Sequence, residues 1–419
     1  MRHVFPWFWQ RLNAFEDPRD DPLYSVAQVQ CLTLLMFASR IRSLRLLDEL
    51  SHDAQFRDNW CVFSRARTDT VICSRQMTNV LAVLDLDVLS ALRPELLRTL
   101  LRQKQAPDLY LLGHVMMAVD ATGVFSSDQP HCPQCLTQHH QDGSTTYLHN
   151  VLECKALGRN GLALSVLSEP LLNPEDGHYD KQDCETKAFH RALPRLKEQF
   201  PRLRIVCLLD SLYCQSPIFD TLARLDHRFI CCFKRGSIPT LYDDALELMK
   251  RAPLNRLACT LQRDGHRVRQ LYTWVNGLAY QGHTLDFVRC EETVEGKTTT
   301  FAYLTDFTVT RDNVITIAQG GRLRWKIENE GFNEQKTGYE LEHFCDCKTL
   351  EVMLALYYLL QIAHLLMQLL ARSNLIETIT HLTVLAYLLL ESLRNQPLSE
   401  DLFHPRQPRC QIRFAQASP

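Results

Sequence analysis

The sequence predicts an α/β protein, a mixed sheet flanked by helices with an N-terminal helical domain and a β-rich insertion, and three observations predict it. Residues 1–108 carry Leu and Arg at helical spacing, as in Q-C-L-T-L-L-M-F-A-S-R-I-R-S-L-R-L-L and V-L-S-A-L-R-P-E-L-L-R-T-L-L. Between 109 and 236, short apolar β-branched runs alternate with amphipathic stretches. Between 237 and 305, R-V-R-Q-L-Y-T-W-V, H-T-L-D-F-V-R and T-T-T-F-A-Y-L-T alternate with the period of strands. With 419 residues, 46% of them hydrophobic, the chain can bury a large core with flanking domains.

Strand-like segments near 114–126, 145–156 and 161–169 are linked by the turn-formers D-G-S and G-R-N-G, which predicts a meander of three antiparallel strands. A helix over about 182–199 follows, with Phe189, Leu193 and Leu196 on one face and Phe200 and Pro201 as its stop. Next come the strand R-I-V-C-L-L-D, a helix near 216–225, and the strand H-R-F-I-C-C-F, which closes at Lys234, Arg235 and Gly236. Three strands, helix, strand, helix, strand is the order of a ribonuclease-H-like core. There the first and fourth strands are neighbours, so two carboxylates closing apolar runs, Asp120 and Asp210, are expected to face each other at the rim of the sheet. One such aspartate is common in α/β proteins as a cap; two invite a functional reading.

The third acidic residue comes from R-L-R-W-K-I-E-N-E-G-F-N-E-Q-K-T-G-Y-E-L-E, residues 322–342. Arg324, Trp325 and Glu328 fall within about one helical turn, because positions four apart share a helix face. Alone, this string also fits a solvated amphipathic helix with an i,i+4 ion pair. Glu330 competes with Glu328; the arginine-tryptophan-x-x-glutamate spacing favours Glu328.

Four segments, A-V-D-A-T-G at Asp120, K-Q-D-C-E at 181–185, L-L-D-S-L-Y at Asp210 and G-R-L-R-W-K-I-E-N-E-G-F-N-E-Q-K, resemble those of DDE transposases of bacterial insertion sequences, in the group with a Tyr-Arg-Glu-Lys signature. The resemblance covers roughly 25–415. It implies Asp120, Asp210 and Glu328 as the catalytic, Mg²⁺-holding triad (Mn²⁺ as substitute), Arg324 as the signature arginine and Lys336 as the signature lysine. It also implies strand cleavage at transposon ends followed by joining to target DNA, and a homodimer on paired ends. Two positions depart from the signature. Gly321 stands where its tyrosine is expected, and Lys336 falls one residue late. Three carboxylates suit the chemistry, since Mg²⁺ takes hard oxygen ligands and a pair of ions can serve both the attacking and the leaving oxygen. A nuclease of the same fold that cuts without joining, and an inactive DNA-binding descendant, are the alternatives.

On this reading the chain divides into an end-binding and assembly domain (1–108), a first part of the core (109–236), the insertion (237–305), a second part of the core with the glutamate helix (306–395) and a tail (396–419). Arg263, Arg267 and Arg269 in the insertion are candidates to grip end DNA, or ordinary surface arginines. Lys plus Arg total 46 against 48 acidic residues, so binding to double-stranded DNA requires local concentration of cations. The places for it are Arg40, Arg42 and Arg45; Arg93, Arg98, Arg102 and Lys104; Lys234; and Arg322, Arg324, Lys326 and Lys336. A loop around R-A-R-T-D-T, residues 65–70, joins the N-terminal helices.

Sixteen cysteines without a secretion signal point to a reducing compartment, cytoplasmic and nucleoid-associated. In H-C-P-Q-C-L-T-Q-H-H-Q-D-G-S-T-T-Y-L-H, Cys132 and Cys135 have the spacing of a zinc knuckle, and His140 and His149 are the chosen partners for a structural Zn²⁺, with His131, His139 and Cys154 as competitors. Residues 350–370 have the length of a membrane span. Gln361, His364 and Gln368 recur on one side, which predicts instead a buried helix whose polar groups find partners, with no membrane involved. The absence of a Gly-rich phosphate loop makes an ATP requirement unexpected.

Overall fold

The computed structural model describes residues 4–64, 70–104, 106–342, 349–376, 381–399 and 412–414. Most of the loop expected at 65–70 and most of the tail 396–419 lie outside these. The chain is mixed α/β, a large mixed sheet flanked by helices. Six helices come first: α1 (Pro6–Asn13), α2 (Val26–Ala38), α3 (Leu44–Leu50), α4 (Ala54–Ser64), α5 (Ser74–Leu81) and α6 (Leu86–Arg102). Polar caps start the longer ones. Ser25 and Gln28 form a reciprocal capping box on α2, and Asp85 accepts two backbone N–H groups at the start of α6.

The sheet opens with β1 (Tyr110–Leu111), β2 (His114–Ser127), β3 (Leu136–His139), β4 (Thr145–Leu157) and β5 (Ala163–Leu171). Strand β4 pairs antiparallel with β2 along one edge and with β3 and then β5 along the other. After α7 (Glu185–Gln199), β6 (Ile205–Leu209) returns parallel to β2. Then α8 (Ser216–Arg224) leads into β7 (Arg228–Cys232), parallel to β6. Next come α9 (Pro239–Arg251) and four antiparallel strands, β8 (Arg256–Arg263), β9 (His266–Tyr280), β10 (His283–Val294) and β11 (Lys297–Thr305). The segment 237–305 is not a sheet apart. Strand β11 pairs with β7, giving one 11-stranded sheet of order β3-β4-β2-β6-β7-β11-β10-β9-β8, with β5 beside β4 and β1 beside β2.

The two faces of β2 go to different cores, as the two-residue period of a strand requires. Val115, Met117 and Val119 join the large core that also holds Phe189, Leu193 and Leu196 of α7 and residues of the N-terminal helices. Met116 and Ala118 join a second core, closed by Val314, Ile317 and Ala318 of α10 (Val314–Leu323). The rod continues through a π-helical stretch (Ile327–Asn333) into α11 (Glu334–Tyr339).

Helix α10 packs close because its last turns carry Gly320 and Gly321. A β-carbon at Gly320 would lie 2.7 Å from Leu111 and 2.9 Å from Ile230, and one at Gly321 would lie 2.2 Å from the Tyr303 ring. The ring fills the volume that any side chain at 321 needs, and it is itself buried. Gly321→Ala is therefore expected to cost about 1–3 kcal/mol by overpacking, read as a lower urea midpoint with unchanged slope; an unaltered midpoint would show that the ring yields freely.

Helix α12 (Leu350–Arg372), capped by Thr349, is long and apolar enough to span a membrane, but 89% of its most apolar window is buried inside the protein. It runs along α2, α6 and β5, so N-terminal helices and sheet share one continuous core. Helix α13 (Leu382–Asn395) packs on α4. The polar side of α12 finds partners. Gln361 accepts from Lys155 Nζ (2.7 Å) and exchanges hydrogen bonds with Gln335, while Gln368 donates to the Glu330 carbonyl (2.8 Å) and contacts His364.

Candidate active site

Asp120 does not end its strand, since β2 runs on to Ser127. The rim arises instead because β6 stops at Leu209, and its pairing with β2 ends at Ala118 and Leu208. Two residues beyond that last pair stand Asp120, still within β2, and Asp210, just past the end of β6, on the same face of neighbouring strands about 4.8 Å apart. Asp210 caps the following turn, accepting from the Leu212 N–H at 2.7 Å, which fixes its carboxylate beside the sheet.

Arg324 draws the third acid in. Its Nη1 lies 3.1 Å from Asp120 and its Nη2 lies 3.0 Å from Glu328. The guanidinium is only 6% exposed, against 17% for Asp120 and 34% for Glu328. Glu330 turns away to Lys326 at 2.9 Å. The geometry thus separates the two glutamates, and Glu328 belongs to the cluster.

A fourth carboxylate completes the site, and sequence reading assigned it no role. Glu185, the first residue of α7, accepts from the buried Tyr213 hydroxyl at 3.2 Å. Burial, and then repulsion from Asp210, pushes its carboxyl above the usual range despite that hydrogen bond. Its only sequence signal was its place in K-Q-D-C-E. Asp120 shows the crowding most clearly. Burial first, and then repulsion from Asp210, Glu185 and Glu328, outweighs the pull of Arg324 and lifts it to about 7. Burial together with several like charges at a sheet rim is a perturbation of the kind that clusters at functional sites.

The cations expected to meet DNA are largely engaged within the chain. Arg322 binds Glu292 at 2.6 Å and lies over Phe301, Lys326 holds Glu330, and Lys336 holds Glu342 at 2.6 Å. Arg324 serves the carboxylates, not the surface. Lys234 is exposed, just after β7 on the Asp210 side of the sheet. Arg93 is fully buried against Glu153, Ser165 and Ser168 and faces no solvent. Arg40 and Arg42 pair with Glu334 and Glu340. In the insertion, Arg263 pairs with Glu292, while Arg267 and Arg269 are exposed on β9. Trp325, 53% exposed, stands beside the carboxylates with Arg324 over its ring.

At the far end of the β2–β4 hairpin, Cys132, Cys135 and His149 come together and His140 does not. The Sγ atoms are 3.9 Å apart, and each lies 3.3 Å from His149 Nε2. His140 instead bonds Thr146 Oγ1 at 2.8 Å in an exposed position. His131 is the histidine that comes close to Cys132 and His149. Cys154 is fully buried in the sheet, and His139 bonds Thr145. No protein-family model matches the chain, and no curated protein matches it.

Proposed function

We propose that the chain is a DDE transposase with a ribonuclease-H-like core, cutting DNA at transposon ends and joining the freed 3′-hydroxyl to target DNA. The observation that carries this reading is that Asp120 and Glu328, far apart in sequence, share one buried arginine, with Asp210 close enough to repel Asp120. The strand order supports it: an antiparallel trio, with two further strands parallel to the first on its other side. The donor set fits a hard divalent cation, because Asp120 and Glu328 share one guanidinium while burial, and then repulsion from Asp210, Glu185 and Glu328, lifts Asp120 to about 7. Held by Asp120, Asp210 and Glu328, Mg²⁺ or Mn²⁺ would activate the attacking oxygen and stabilise the leaving one.

The residues of the chain do the rest. Asp210 is fixed by its turn, Tyr213 orients Glu185, and Arg324 neutralises Asp120 and Glu328 while they face each other. Lys234, Arg267 and Arg269 offer exposed charge to a DNA backbone, and the Trp325 ring offers a flat face for a base unstacked at the cleavage point. Lys336 and Arg322 would exchange an internal carboxylate for phosphate. The departure at Lys336 has a local cause in keeping with the reading. The extra residue falls where the helix widens into its π-helical stretch, and such single-turn bulges are frequent at functional sites.

The test uses the full chain, Mg²⁺ and a duplex bearing the inverted repeats that flank the gene, pre-cleaved to expose a 3′-hydroxyl. Joined product is expected, with binding that weakens by about 0.9 log units per log salt for each phosphate neutralised. Cutting without joining would favour the nuclease reading, and a flat salt dependence would remove DNA as the substrate.

A further inference from the structure

We propose that Cys132, Cys135, His149 and His131 bind one structural Zn²⁺, which fastens the tip of the β2–β4 hairpin to the segment that delivers Glu185. The site does not depend on the catalytic reading. A tetrahedral ion with Zn–S of about 2.3 Å and Zn–N of about 2.0–2.1 Å places its sulfurs about 3.8 Å apart and each sulfur about 3.5 Å from a ligating nitrogen. The protein shows 3.9 Å between the sulfurs and 3.3 Å from each sulfur to His149 Nε2. A disulfide needs about 2.05 Å and is excluded by that separation.

The ligand atoms of His131, Cys132 and His149 all lie within 4.8 Å of one another, and the His131 and His149 rings stand nearly perpendicular at 86°. Phe125, paired with His149 across the strands, lies against both rings and keeps one side dry. The Cys132 N–H points at Cys135 Sγ (3.4 Å), and the Cys135 N–H bonds back to the Cys132 carbonyl, a tight knuckle that presents both sulfurs to one point. Two sulfurs and two imidazoles select Zn²⁺ over the hard cation suited to the carboxylates.

The knuckle is wired to the catalytic side of the sheet. Asn173 donates to the Cys135 carbonyl (2.8 Å) and, through its backbone, to the Gln134 carbonyl, while its own Oδ1 accepts from the Asp183 N–H (3.0 Å). Gln182 exchanges a pair of hydrogen bonds with the Thr137 backbone. Glu185 opens α7 two residues after Asp183. The ion therefore sets the position of the chain entering α7.

Full-length protein purified without a histidine tag is expected to carry about one zinc per chain, and Co²⁺ exchange to give the thiolate charge-transfer band and strong red-region absorption of a tetrahedral Cys2His2 site. Cys135→Ser is expected to lose the metal and His131→Ala to bind it at least about tenfold more weakly, with His140→Ala unchanged. Should the cysteine variant fail to fold, chelation of the wild-type protein decides: amide exchange is expected to rise across 131–139 and 172–184 and to stay unchanged in β6 and β7. Less than about half a zinc per chain with no cobalt spectrum would overturn the site. Loss in His140→Ala with retention in His131→Ala would overturn the ligand set, and uniform exchange after chelation would overturn the fastening role.

Discussion

Asp120→Asn is expected to reduce Mg²⁺-dependent cleavage and joining of end DNA by about 10³-fold or more, and to raise the melting temperature of the metal-free protein. On the reading proposed above, the first effect follows from losing a shared metal ligand, since several kcal/mol of charge stabilisation at about 1.4 kcal/mol per decade amounts to that factor. The second follows from the crowding of Asp120. Its folded value of about 7 lies above its ordinary 3.8, so the folded chain binds this proton more tightly than the unfolded one. Its contribution to stability is present below the ordinary value and is lost as pH rises through about 7.

At about pH 7.5, without metal, the neutral asparagine escapes that loss, and an upward shift of roughly 1–3 °C is expected. Added Mg²⁺ should stabilise the wild-type protein and leave the variant unmoved. Paired scanning calorimetry and strand-transfer assays check both halves. A variant that melts lower and still joins ends would reduce Asp120 to half of an ion pair with Arg324.

Glu153→Ala is expected to cost roughly 3–5 kcal/mol. Glu153 stands directly across from Asp120 on β4, fully buried, beside two fully buried cations. Arg93 Nη1 lies 3.5 Å from it, Lys155 Nζ 3.8 Å, and the Tyr357 hydroxyl donates at 2.9 Å. Removing the anion leaves both cations inside the protein with only neutral partners: Ser165 and Ser168 for Arg93, Gln361 for Lys155. The same chain of contacts runs on through Gln335, His364 and Gln368 to the Glu330 carbonyl, so loosening of the Glu328 segment should accompany the loss.

Lys155 supplies a pH signature. Burial, opposed by Glu153 and reinforced by Arg93, lowers its amine to about 8 from 10.5. The unfolded chain holds that proton more tightly, so wild-type stability gains from this residue as pH climbs from about 8 to about 10.5. Lys155→Met should flatten that rise. Urea midpoints across this range check both variants, and a Glu153→Ala cost below about 1 kcal/mol would mean that the interior relaxes around the cations.

The elements were legible wherever one face is buried and the period clean. The strands at Asp120 and Asp210, helix α7 and the strands β9 to β11 fall within a few residues of their expected positions. What escaped depends on pairing at long range. Nothing in T-T-T-F-A-Y-L-T says that it will bind β7 and make the insertion part of the main sheet. Arg93 sits in a Leu-rich helix that reads as surface, because its partner Glu153 is remote in sequence. His131 adjoins Cys132 and His140 follows Cys135 by five residues, and the exposed turn after β3 carries His140 to Thr146 instead. Glu185 was hidden because a helix's first residue is ordinarily acidic for capping reasons. The exposed β8 and helix α9 went unread, the former because it buries little.

The wide turn at Ile327–Asn333 separates counting from geometry. In an ordinary α-helix one added residue rotates everything downstream by about 100° and would swing Lys336 to another side. A five-residue hydrogen-bond ring takes up the surplus where it occurs, so the Gln335 and Gln361 contact below it stays in phase with the sheet. On the transposase reading, the residue by which Lys336 departs from the signature spacing is absorbed within this turn, and a search by rigid spacing would pass over the chain.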